Sequence, residues 1–132
     1  MYRITSEPEK RIIPIKEGER IQLGETVLIR IHVQSPLTMN YVHIQDQFPS
    51  CFDLMANNSE YRHYQHLWAY TIPRDSGMNF FIDYLPKGTS MLEYEVKVDK
   101  AGVFSKGMTK AYSVFAPEFG VTKGGGKVTI SP

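Results

Sequence analysis

Between Thr89 and Lys100 the chain reads TSMLEYEVKVDK, a run of strict alternation. Leu92, Tyr94, Val96 and Val98 fall on one side, and Glu93, Glu95 and Lys97 on the other. Successive side chains of an extended strand point to opposite faces, so a period of two predicts a strand with one face buried and one in water. Wound as a helix, the same four apolar residues would not gather into one stripe.

The period recurs along the chain. Thr26 to Gln34 reads TVLIRIHVQ, with Val27, Ile29, Ile31 and Val33 against Arg30 and His32, and Leu28 out of phase. In Asn40 to Gln47, Val42 and Ile44 alternate with Tyr41, His43 and Gln45, and Pro49 closes the segment. Trp68–Pro73 and Met78–Pro86 predict two further strands, joined by the turn Arg74-Asp75-Ser76-Gly77. Lys110–Ala116 and Lys127–Ser131 complete the set. Ile12, Ile13 and Ile15 around Pro14 suit an edge strand, where a missing N–H is tolerated. No window of helical length carries an apolar stripe at three-four spacing. Seven or more short antiparallel strands in 132 residues predict an all-β chain. The architecture expected is a two-sheet antiparallel β-sandwich, with an up-and-down barrel as the alternative. No repeat or linker divides the chain, so residues 1–132 read as one domain.

Charge and apolar content narrow the partners. Fifteen basic residues balance fourteen acidic ones, for a net charge of +1. Such a surface offers no electrostatic reason to bind nucleic acid. No segment approaches the roughly 20 consecutive apolar residues of a membrane-spanning helix. Met1 to Lys10 lacks the basic start and apolar stretch of a signal peptide. The lone cysteine, Cys51, can form neither an internal disulfide nor a CxxC metal site, and it leaves the compartment open.

Residues that could carry chemistry do not assemble. Cys51 lies between Pro49 and Phe52 and reads as a small buried hydrophobe at a loop. No serine stands in a Gly-x-Ser-x-Gly elbow. Gly124-Gly125-Gly126 leads into a strand rather than a helix N-terminus, so it reads as a hairpin turn and not a phosphate loop. His63 and His66 are three apart, which puts them on opposite faces of a strand, with no Asp or Cys close by to complete a metal set. His32 and His43 fall on polar strand faces and are expected to face solvent. No catalytic residue, cofactor or metal site is predicted. Asp46 and Asp83 sit among hydrophobes, each just before a proline turn (Phe48-Pro49 and Leu85-Pro86). Their expected role is structural, each carboxylate accepting N–H bonds from the turn that follows it. The dense run Tyr61, Arg62, Tyr64, His66, Trp68 and Tyr70 is the candidate docking face, although its rings occupy both odd and even positions.

Five segments together resemble one family. Tyr41-Val42-His43-Ile44-Gln45-Asp46-Gln47-Phe48-Pro49-Ser50-Cys51-Phe52 is similar to the YVxIxDxxPxxFE segment near the C-terminal end of bacterial alpha-2-macroglobulin-like proteins. Phe81-Ile82-Asp83-Tyr84-Leu85-Pro86-Lys87-Gly88-Thr89 resembles their DYLPAGTY, Gly102-Val103-Phe104 their PGTF, and Ala111 to Phe119 their AEAMYAPEF. Gly125 to Ile130 resembles their closing strand. Order and spacing hold from about Ile21 to the end.

The resemblance implies a macroglobulin-type sandwich, the C-terminal piece of a large secreted or periplasmic protein. Members of that family trap proteases with a bait segment, and many carry a Cys–Gln thioester in a helical domain beside which the last sandwich packs. Here Cys51 is followed by Phe52-Asp53 and not by the thioester's Glu-Gln, so no functional residue of the family carries over. The expected function is a non-catalytic interaction domain whose partners are other domains of its parent chain, the parent engaging proteases in the periplasm or at the cell surface. The alternative is an independent adhesin or carbohydrate-binding sandwich using the Tyr61–Tyr70 aromatics.

Overall fold

A computed structural model describes residues 1–5, 11–16, 18–55, 59–64, 67–74, 77–113, 116–124 and 127–132. It opens with two short strands, β1 (Tyr2–Thr5) and β2 (Arg11–Pro14), and a two-residue β3 (Ile21–Gln22). The long β4 (Thr26–Ser35) and β5 (Met39–Gln47) follow, then the short β6 (Phe52–Leu54) and β7 (Glu60–Tyr64). Next come β8 (Leu67–Arg74), β9 (Gly77–Leu85) and β10 (Gly88–Val98). The chain closes with β11 (Gly102–Ser105), β12 (Met108–Ser113), β13 (Ala116–Gly124) and β14 (Lys127–Ser131). There is no helix among the described residues.

Three sheets result. One has the order β2-β1-β4-β10-β6, a second β13-β12-β5-β9-β8-β7, and a smaller third β11-β14-β3. Among the described residues every pairing is antiparallel except that of β14 with β3. The segment with the strictest alternation, β10, pairs with β4 in unbroken register from Gly88–Ser35 to Lys97–Thr26.

The two large sheets pack face to face, as the two-sheet sandwich requires. Val27, Leu92 and Val96 of the five-stranded sheet share a core with Val42, Ile44, Phe80, Ile82 and Leu67 of the six-stranded one. Burying each such side chain contributes about 1.5–3 kcal/mol, which drives the layers together. The Phe80 and Tyr94 rings, 6.2 Å apart, meet between the sheets. Ile21, Val128 and Ile130 bring the small sheet into the same core. Backbone bonds of Gly24 and Glu25 to Val98 tie β3 and β4 to the end of β10.

Three details depart from the alternation. Leu28, out of phase with Val27, is buried as well. Ile29, Ile31 and Val33, which share Val27's face, are only half-buried because the interior opens beside them. Strands β3, β6, β7, β11 and most of β13 left no periodic signal; β3 and β6 have two and three residues, too few to show a period. The expected edge strand is β2, with Ile12 and Ile13 exposed and Pro14 opposite Tyr2. Asp75, Ser76, Gly125 and Gly126 of the two expected turns lie outside the described residues.

Candidate functional site

The outer face of the six-stranded sheet carries a row of rings. Tyr61 lies opposite Tyr70, Tyr70 opposite Phe81, Phe81 opposite His43, and His43 opposite Tyr112. One register line therefore crosses β7, β8, β9, β5 and β12, and neighbouring strands put directly opposed side chains within contact distance. Tyr61 meets Tyr70 edge-on, with centroids 4.9 Å apart and planes at 81°. His43 stacks flat on Phe81 at 4.3 Å and meets Tyr112 edge-on at 5.1 Å. A second pair, His63 with Trp68, lies beside the row at 4.8 Å.

His43 anchors the middle of this face. Its Nε2 donates to Asn79 Oδ1 at 2.9 Å, which leaves Nδ1 to accept the Tyr112 hydroxyl at 2.5 Å. Both ring nitrogens thus have a partner on a neighbouring strand. The expectation of a plain solvent-facing residue is corrected here: His43 is half-buried between two rings. His32 is exposed.

Of the candidate docking residues, Tyr61 and Trp68 are 64% and 61% exposed, and Tyr70 is half-buried beneath the Tyr61 edge. Tyr64 belongs to the opposite face. It is 8% exposed and packs edge-on against Phe80 at 6.0 Å, because its partner across the hairpin, Leu67, points into the core. Arg62 shares Tyr64's side at the sheet margin, where its guanidinium lies 5.9 Å from the Tyr64 ring and 3.5 Å from Glu60. His66 lies outside the described residues. Sequence reasoning missed His43, His63, Phe81 and Tyr112 as members of this face. The signal was available for Phe81: it stands between Phe80 and Ile82, both inward, and so has to point out.

The two carboxylates differ. Asp83 is exposed on β9. Asp46 is buried, but its partners are not turn amides. The Tyr94 hydroxyl donates to one carboxylate oxygen at 2.5 Å, and the Thr109 hydroxyl donates to the other. Asp46 thus links β5, β10 and β12 across the sandwich, which corrects the turn role expected from sequence. Burial raises its pKa, and the two hydrogen bonds pull it back down in part. Burial first, then the Asp46 charge, pushes the Tyr94 phenol upward. Two glycines admit the surrounding backbone. A Cβ on Gly77 would lie 2.7 Å from the Asp46 carbonyl oxygen, and one on Gly107 would lie 2.5 Å from that of Gln47.

Beside this cluster the sandwich opens into a cleft of about 700 Å³. Ile29, Ile31 and Val33 of β4 wall one side, and Ile44, Ala111 and Thr109 wall the other. Cys51 is far from reactive: it is fully buried, and burial pushes its thiol up to about 11. Among the described residues no three His, Cys, Asp or Glu side chains come together as a metal site.

The antiparallel sandwich places the chain in the class of macroglobulin-type β-domains, as the comparisons with known proteins show. The family described as Bacterial Alpha-2-macroglobulin MG10 domain matches residues 2–118, and the chain belongs to it. Macroglobulin domains of this family are non-catalytic structural domains. Among solved structures, Escherichia coli alpha-2-macroglobulin activated by porcine elastase superposes with a TM-score of 0.74 at 14% identity, over 100% of this chain and 13% of that one. Salmonella alpha-2-macroglobulin reacted with methylamine gives 0.72 at 15% identity, over 100% of this chain and 9% of that one. Identities this low speak for the fold alone. The chain thus spans about a tenth of the length of these proteins. No curated protein matches it significantly.

Proposed function

We propose that this chain is a docking domain of a longer bacterial alpha-2-macroglobulin-like protein, its C-terminal sandwich, working in the periplasm or at the cell surface. It contributes binding area rather than chemistry, while the parent engages proteases. The observation that carries this reading is the ring row across five strands, exposed at its Tyr61 end and flanked by Trp68. Tyrosine and tryptophan supply large contact area at low entropic cost and dominate the energetics of protein interfaces. Folding alone does not require Tyr61 and Trp68 to be aromatic, since both are mostly in water. The edge-on Tyr61–Tyr70 contact favours a protein partner over a sugar, because a stacking platform for sugar rings needs aromatic faces laid flat along the surface.

The test is association of the purified chain with the remaining domains of its parent, followed by calorimetry. Tyr61→Ala with Trp68→Ala should weaken binding at least about tenfold, as loss of interface anchors does, while the melting temperature holds. Binding that survives both substitutions and Phe81→Ala unchanged places the interface elsewhere. Slowed proteolysis of a protein substrate by the chain alone would overturn the non-inhibitory reading.

A further inference from the structure

Among the described residues, the β4 edge that carries β1 is paired over only part of its length. β1 pairs with β4 only over Thr26, Val27 and Leu28, while β4 runs on to Ser35. From Ile29 to Ser35 the β4 edge opposite β10 has no strand partner among the described residues. The cleft lies directly beneath it, so Ile29, Ile31 and Val33 face a space of about 700 Å³ and remain half in water. An open edge beside an unfilled apolar interior is what a strand added in register would complete, through backbone hydrogen bonds and alternate side chains.

The direction of β1 says which strand. Tyr2 lies opposite Leu28 and Arg3 opposite Val27, so β1 runs antiparallel to β4 and points its N-terminal end along the open edge. Met1 packs against the core and lines the mouth of the cleft next to Ile29. Its amino group is half-buried, and burial, then Lys106, lowers its pKa. Continued backwards in the same register, the residue ahead of Met1 meets Arg30, and the sixth ahead of it meets Ser35.

We propose that polypeptide joined ahead of Met1 extends β1 along the open edge of β4, its second and fourth residues before Met1, opposite Ile31 and Val33, being apolar and filling the cleft. This rests on the reading of the chain as one segment of a longer protein, but it engages the β4 edge and not the aromatic face.

The test adds six residues ahead of Met1 in two versions of the same composition. One places valines at the second and fourth positions, and the other shifts them by one residue, which turns them to the outer face. The in-register chain should stay monomeric, melt higher by about 3–8 °C, and slow hydrogen exchange of the β4 amides from Ile29 to Ser35 at least about tenfold. The shifted chain should gain neither. Equal protection in both versions, or in neither, overturns the proposal. So does protection in the 132-residue chain that rises with concentration, since the edge would then be pairing with a second copy. Loss of Tyr61-dependent docking with β4 protection intact would count against the docking face alone.

Discussion

The two faces of the six-stranded sheet are built from the same strands and are both rich in rings, yet only one is a core. Phe80 and Phe81 are adjacent in the chain. Phe80 is fully buried between the sheets, whereas Phe81 stacks on His43 outside. Tyr64 and Tyr61 divide in the same way within five residues of β7. Aromatic content therefore cannot separate an inner face from an outer one; parity can, once one inward residue is known. The inner face owes its stability to close packing. The outer face adds local ring contacts and leaves Tyr61 and Trp68 mostly in water.

That contrast can be broken most directly at Phe80. Phe80→Ala should cost about 3–5 kcal/mol through lost transfer energy and the cavity left behind, read as a shift of the urea midpoint. Phe81→Ala should cost only about 0.5–1.5 kcal/mol, the worth of a surface ring contact. Equal losses at the two positions would mean that the outer face is also core. Gly107→Ala comes next. The new methyl would press on the Gln47 backbone beside the Asp46 cluster, and overpacking of that kind costs about 1–3 kcal/mol.

Asp46 sharpens the comparison through pH. Its folded pKa is raised, so the folded state holds this proton more tightly than the unfolded state does. The contribution to stability is then fully present below the ordinary carboxylate value of about 4 and declines as pH rises through the folded pKa. Denaturant midpoints measured across this range should fall with rising pH, and Asp46→Asn should flatten the slope. An unchanged slope in the variant would show that the buried carboxylate is not the source. The smallest effects belong to the rim. Tyr61→Ala and Trp68→Ala should each stay within about 0.5 kcal/mol of the parent stability, measured by thermal unfolding of the isolated chain.

How much of this was legible beforehand varies with the range of the interaction. The body of β10 could be read directly, because its residues from Ser90 to Val98 obey the alternation that their burial requires, while its ends fell a residue or two from those expected. The burial of Asp46 followed from its parity with Val42 and Ile44. Its partners did not, since Tyr94 and Thr109 lie 48 and 63 residues away and arrive only through sheet pairing and layer packing. His43 was misread for the same reason, its contacts coming from Phe81 and Tyr112 on two other strands. The inward turn of Tyr64 depended on its register with Leu67, which local sequence does not specify. The aromatic run was visible as a run of mixed parity, but which of its rings turn inward was not.

The buried thiol of Cys51 has a consequence for its reaction with disulfide reagents. With its titration moved up to about 11, only about one molecule in ten thousand carries a thiolate at neutral pH, and no reagent reaches the sulfur without some backbone separation. Its reaction with a disulfide reagent therefore acts as a clock for opening. The Cys51 carbonyl accepts from the Asp99 amide just beyond β10, and Phe52 begins the β6 edge of the five-stranded sheet. Labelling at rates set by global unfolding would mark this corner as part of the cooperative unit, and faster labelling would time the fraying of β6 from β10.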